Sequence, residues 1–190
     1  MSSALQCIVH CEPLTEYFRN ELWKADLNKS NPLGLNGRLA VSYANLISSL
    51  FSDRPMQSIQ PLDFKRTFAE FNPDFRGYDQ KDSLEFLTCL MGGVHEDLNR
   101  IMKKPYVERE LPFGEYPKQE QQEIWGSEAW DAHKKRNDSV VVDVLHGMFR
   151  STTCCGQCQG VAVTFDPYSD ITVPLPLHKM YILLPRDHGC

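Results

Sequence analysis

Residues 75–106 read FRGYDQKDSLEFLTCLMGGVHEDLNRIMKKPY, and the fold turns on how this stretch divides. Asp82, Ser83 and Glu85 mark a helix start. The Asp82 carboxylate can accept hydrogen bonds from the orphan amides of a first turn, and Glu85, three residues later, can reach back to complete a capping box. Leu84, Leu87, Leu90, Met91, Val94 and Leu98 then recur on one stripe at helical spacing, with Glu96, Asp97 and Arg100 on the other side. Gly92 and Gly93 each weaken such a helix by about 1 kcal/mol relative to alanine, which predicts a closely packed neighbour. The pattern alone supports an amphipathic helix with acids at its positive end.

Outward from this helix, residues 3–10 read as a short helix ended by Pro13, and Leu14, Tyr17, Phe18 and Leu22 give a small apolar face. Residues 28–37 form a turn-rich loop. Leu39, Ala40, Tyr43, Ala44, Leu46, Ile47, Leu50 and Phe51 make a buried helical stripe, and Phe64, Phe68 and Phe71 a second helix opened by Pro61. Residues 108–122 are polar, carry Pro112 and Pro117, and read as a mobile loop; residues 124–136 read as a helix with Trp125, Ala129 and Trp130 inward. Residues 140–145 are ambiguous: β-branching argues for a strand, while Ser139 as a cap and the pairs Val140/Val144 and Val141/Leu145 argue for a helix. After Gly147 the period changes to two, predicting strands at 148–153, 161–165, 171–173 and 180–184. Helices first and strands last give an α+β layout.

Composition narrows the function classes. The 190 residues are 42% hydrophobic with a formal net charge of −5, enough apolar material for a sizeable core and no broad electrostatic case for nucleic acid or an anionic membrane. No apolar run reaches the roughly 18–20 residues of a membrane span, and the first residues lack the basic and apolar blocks of a signal peptide. Seven cysteines, mostly scattered, favour thiols or metal ligation over a disulfide framework.

The wording of the chain carries more than its periods. Gly77-Tyr78-Asp79-Gln80-Lys81-Asp82-Ser83-Leu84-Glu85-Phe86-Leu87 resembles the glutamine–aspartate box of the ubiquitin-specific proteases, also called ubiquitin carboxyl-terminal hydrolases, with Lys81 where a second glutamine is usual. Asn31-Pro32-Leu33-Gly34, the run from Val94 through Arg100 with Lys104-Pro105-Tyr106, WDAHKKRNDS from Trp130 and FDPYSDITVPLP from Phe165 resemble the same family, in the same order. The likeness is to the subgroup with an insertion inside its catalytic domain. It implies a papain-like cysteine protease fold, incomplete here: a helical thumb over 1–146, then the first finger strands and palm edge over 147–190. It also tips residues 140–145 to helix. Met1-Ser2-Ser3-Ala4-Leu5-Gln6-Cys7 is similar to the tail of the cysteine box, so the nucleophilic cysteine is expected two positions before Met1, and the histidine base with its Asp/Asn partner beyond Cys190.

The family likeness implies a cysteine-type deubiquitinase, cutting after the terminal glycine of ubiquitin, with this chain alone inactive. Gln80, Asp82 and Glu85 become ubiquitin-binding residues, the acids meeting an arginine of the ubiquitin tail; without the resemblance they are a loop residue, a cap and its partner. Ubiquitin and ubiquitinated proteins are the implied partners, with no nucleic acid or membrane, in a eukaryotic cytoplasm or nucleus. No cofactor is needed for catalysis. Cys155-Gly156-Gln157-Cys158 is a zinc-type knuckle that supplies two of four tetrahedral ligands. The family likeness places a completing second pair after the insertion, so Cys155 and Cys158 are a half-site; His188 and Cys190 have suitable chemistry, but nothing places them near. A non-catalytic ubiquitin binder and a zinc-knuckle adaptor stay open as other readings.

The remaining candidates read as structure. Cys7, Cys11 and Cys89 are expected as core thiols and Cys154 as a small strand hydrophobe. His95 is expected on the helix surface and His146 in packing; Trp23, Trp125 and Trp130 are expected as core anchors. Lys134-Lys135-Arg136 is a solvated helix end.

Overall fold

A computed structural model describes residues 2–52, 59–107 and 113–174. Among the described residues the helices are α1 (Ser2–Val9), α2 (Glu12–Arg19), α3 (Trp23–Asp26), α4 (Arg38–Leu50), α5 (Leu62–Phe71), α6 (Ser83–Leu98), α7 (Gln119–Lys134) and α8 (Val140–Leu145). The strands are β1 (Phe113–Gly114), β2 (Gly147–Cys154) and β3 (Val161–Tyr168).

The helical stripes bury much as their periods predict. Leu39, Tyr43, Ile47 and Phe68 are fully buried with Leu90, Val94 and Leu98, and Phe86 is almost so. Aromatic rings tie α5 to α6: Phe68 meets Phe86 edge-on at 5.2 Å between centroids and Phe75 at 5.1 Å. A Cβ on Gly93 would lie 2.6 Å from Leu39 Cδ2 and 2.7 Å from Phe71 Cε1, so only glycine lets α6 approach α4 and α5 this closely. Gly92, expected to serve likewise, has no such neighbour within 4 Å.

Several expectations fail at the edges of these helices. Pro13 opens α2, since the first helix already ends at Val9. Leu22, Leu50, Phe51 and Leu84 are exposed, because a stripe extrapolated past its last neighbour reaches solvent. Asp97, read as a surface acid, is fully buried. Its carboxylate accepts from the amides of Leu35 at 2.7 Å, Leu39 at 2.8 Å and Ala40 at 3.1 Å. Helix α4 begins after Gly37, whose φ of 84° is left-handed and which has no side chain to cap with, so Asp97 satisfies the orphan amides from another helix. The same turn binds the loop before α4: the Asn28 amide donates to the Asp97 carbonyl at 2.8 Å, and the Asn28 side chain to the Asn99 carbonyl at 2.9 Å. Asn31 donates to the Glu96 carbonyl at 2.9 Å.

Residues 140–145 are helical, with Ser139 Oγ accepting from the Val142 amide at 3.4 Å. The sheet has the order β1-β3-β2, with both pairings antiparallel. In register, Arg150 faces Phe165 and Cys154 faces Val161. Val161, Val163 and Phe165 alternate inward onto Ala129, with Trp125 and Met148 beside them, which makes a second, smaller core. The segment read as a mobile loop is more ordered than expected. Phe113 and Gly114 pair with β3, and residues 119–122 already belong to α7; residues 108–112 lie outside the described residues. Residues 171–173 form no strand, and the strand expected at 180–184 lies outside the described residues. Trp23, Trp125 and Trp130 are half-buried rather than fully enclosed.

Candidate functional site

Helix α6 begins at Asp82, whose backbone is extended and whose Oδ1 accepts from the Leu84 amide at 2.7 Å and the Glu85 amide at 3.0 Å. The cap therefore forms as the sequence predicts. Its reciprocal arm does not: among the described residues no hydrogen bond joins the Glu85 carboxylate to the Asp82 amide. Gln80, Asp82 and Glu85 are all exposed. Gln80 and Asp82 line one open groove of about 370 Å³ with Asp74, Asp79, Lys65 and Lys81, floored by the buried rings of Phe75 and Phe86. Glu85 stands one turn further along α6, outside that lining. Oδ1 of Asp82 is held by two amides, and the positive end of the helix dipole favours its carboxylate form there.

The knuckle sits at the turn between β2 and β3. The Cys155 amide donates to the Gly160 carbonyl at 2.8 Å, and the Gln159 amide to the Cys155 carbonyl at 3.0 Å. The amides of Cys158 and Gln157, with the Cys158 thiol, hold the Cys155 thiol below its ordinary range. That donor set fits half of a tetrahedral thiolate site. Among the described residues no three His, Cys, Asp or Glu side chains converge to hold a metal, and His188 and Cys190 lie outside them. Cys154 is exposed rather than packed, since both faces of this part of β2 lie open. Cys7 is likewise exposed, whereas Cys11 and Cys89 pack against the helical core.

Sequence reasoning missed a second polar cluster. His95, expected on the surface, is buried with its Nδ1 2.7 Å from Ser139 Oγ. His133 Nε2 lies 3.3 Å from Nδ1 of His146, and His133 Nδ1 lies 3.3 Å from the Asn137 amide nitrogen. Burial pushes all three imidazoles below their ordinary value, and the neighbouring His146 and His95 push further on His133 and His146 respectively. Glu96 opposes this shift at His95. Burial disfavours the charged form of Glu96, but Lys104 Nζ at 2.8 Å and the Asn31 amide hold its carboxyl below the usual range. Arg100, also past the end of α6, reaches Asp26 at 2.6 Å and Asp138 at 3.0 Å. Among the described residues no cysteine sulfur is hydrogen-bonded to an imidazole, so the buried histidines are tied into structure rather than to a thiol.

Residues 1–182 match the family described as ubiquitin carboxyl-terminal hydrolase. The chain is 45% identical over 194 aligned positions to "Ubiquitin carboxyl-terminal hydrolase 4" of Mus musculus, an alignment covering 100% of this chain and 20% of that protein. It is also 45% identical over 179 residues to "Ubiquitin carboxyl-terminal hydrolase 15" of Homo sapiens, covering 94% of this chain and 18% of that protein. The chain thus spans about a fifth of the length of these relatives. It belongs to the ubiquitin carboxyl-terminal hydrolase family.

Proposed function

We propose that this chain forms the thumb (1–146) and the first finger strands and palm edge (147–190) of a cysteine-type deubiquitinase, and that Gln80, Asp82 and Glu85 bind the ubiquitin tail. The observation that carries this reading is the rigid, capped start of α6, which presents exposed acids beside an open groove in a chain of this family. The reaction is hydrolysis of the bond after the C-terminal glycine of ubiquitin by a cysteine thiolate with a histidine base and an acyl-enzyme intermediate. In this reading the chain contributes a wall of the cleft, and the reacting groups come from elsewhere in the full-length enzyme. The same reading makes the 190-residue polypeptide alone inactive. Ubiquitin and ubiquitinated proteins are its partners, and nucleic acid and membranes are not, which suits a net charge of −5. The six described cysteines are free thiols, in keeping with a cytoplasmic or nuclear setting.

The test uses a full-length enzyme carrying this sequence. Asp82→Ala should lower kcat/KM for a ubiquitin fluorogenic amide by at least about tenfold, roughly 1.4 kcal/mol, while stability falls by only the cost of a lost cap, about 1 kcal/mol. Unchanged activity with reduced stability would leave Asp82 as a helix cap and nothing more. Turnover by the isolated polypeptide, abolished by alkylation, would refute its assignment as a non-reacting wall. Catalysis needs no cofactor in this reading. Cys155 and Cys158 would hold one side of a structural zinc, whose chemistry there is to lock the knuckle. Metal analysis of the full-length protein should find zinc, lost in Cys158→Ser; equal zinc in both would remove the assignment.

A further inference from the structure

Beside the acidic groove, across a ridge made by Lys65 and Tyr78, lies a second groove of about 400 Å³. Its chemistry is of the opposite sign. Lys65, Arg66 and Arg76 line it, with the apolar surfaces of Leu62, Ala69 and the exposed Tyr78 ring beside them. Little in the chain neutralises these cations. Lys65 Nζ stands 3.4 Å above the Tyr78 centroid, a cation–π contact that holds the ammonium in place without cancelling its charge. Arg66 has only Asp63, at 3.4 Å, with side chains 77% and 96% exposed, a pair worth little in solvent. Arg76 has no hydrogen-bonding or ionic side-chain partner among the described residues. The single acid in the lining, Glu70, is taken by Arg38 at 2.6 Å. Among the described residues, three weakly compensated cations therefore share one small groove in a chain whose net charge is −5.

We propose that this groove docks an acidic linear segment of a partner protein, with carboxylates on Lys65, Arg66 and Arg76 and one apolar side chain on Leu62, Ala69 and Tyr78. Charge complementarity selects the occupant. The apolar surfaces and the limited volume favour a peptide over a polyanion, because a nucleic acid or an anionic bilayer would also meet the acids of the adjoining groove, Asp74, Asp79 and Asp82. Tyr78 and Lys65 line both grooves, so the two ligands would lie side by side, with opposite charge patterns.

The experiment measures fluorescence anisotropy of a rhodamine-labelled peptide, Glu-Asp-Glu-Leu-Asp-Glu, titrated with the 190-residue chain. Saturable binding is expected, weakening several-fold between about 0.05 M and about 0.2 M salt. The double variant Arg66→Glu/Arg76→Glu should bind at least about tenfold more weakly, whereas Lys118→Glu, far from this groove in sequence, should bind as wild type. Because Arg66 on α5 and Arg76 beyond it are both exposed, circular dichroism should confirm that the double variant keeps its helix content. A single-stranded oligonucleotide or phosphatidylserine vesicles, binding more tightly than the peptide and lost in the same variant, would overturn the proposal, as would equal peptide binding by all three proteins. The assignment is independent of the ubiquitin-tail reading. Peptide binding by Arg66→Glu/Arg76→Glu and ubiquitin turnover by Asp82→Ala are read in separate assays, so either reading can fail without the other.

Discussion

At the scale of single residues, Asp97 is the buried acid on which the start of α4 depends. It is fully buried and receives three main-chain donors, so its removal strands amides that water cannot reach. Each buried, unsatisfied donor costs about 1–3 kcal/mol, and bonds to a charged acceptor lie at the upper end. Asp97→Ala should therefore lower unfolding free energy by at least about 3 kcal/mol, read from the urea midpoint at an unchanged slope. A loss below about 1 kcal/mol would mean that the start of α4 finds another acceptor. Gly34 should prove equally intolerant, since a Cβ there would collide with the Asp97 carboxylate. Tyr43 is the converse case: among the described residues its buried hydroxyl has no hydrogen-bond partner, so Tyr43→Phe should leave stability equal or raise it by up to about 1 kcal/mol.

At the scale of elements, the histidine cluster joins α6, α7 and the end of α8, and it does so in the neutral state. His133 bridges Asn137 and His146, an arrangement that fails when a ring nitrogen acting as acceptor gains a proton. The folded imidazoles are held below their ordinary value of about 6.5, so below that pH the unfolded chain binds more protons than the folded one. The stabilisation is complete above about pH 6.5 and is lost progressively as pH falls from there toward the depressed folded values. Urea midpoints should drop between about pH 7 and about pH 5, and His146→Gln should flatten that drop. An equally steep drop in the variant would exclude His146 from the effect. The elements themselves were largely legible. Periods of 3.6 and two located α4, α6, β2 and β3, the family likeness tipped residues 140–145 to α8, and Asp82 and Ser139 were recognisable caps. What the sequence could not convey was which residues face a neighbour distant along the chain. Asp97 meets Leu39 across 58 positions and His95 meets Ser139 across 44, and a helical stripe knows only its own axis. One signal was available: α4 opens after a bare Gly37, with no residue of its own to cap it, so a remote acceptor was required. Gln80 and Asp82 were legible as candidates by wording, but the cationic groove beside them depends on packing of α5 against residues 73–78, which no spacing reveals.

At the scale of the whole molecule, apolar burial is uneven. The helical core encloses residues from α1, α2, α4, α5, α6 and α8, whereas the sheet buries little beyond Val161, Val163 and Phe165 against Ala129. Strand β2 pairs only with β3 among the described residues, and six of its eight positions are exposed. Hydrogen exchange should therefore run fast in β2 and the knuckle and slow in α4 and α6, and limited proteolysis should cut first within 147–174. Slow, uniform exchange across both regions would contradict this. The turn that closes α6 has a further, kinetic consequence. Asp97 and Asn99 gather segments 58–71 residues earlier and 37–39 residues later, so each contact must close a long loop before it gains anything. These contacts should form after the transition state, and Asp97→Ala should then speed unfolding far more than it slows folding, which would make this turn a latch on the lifetime of the native protein rather than its nucleus.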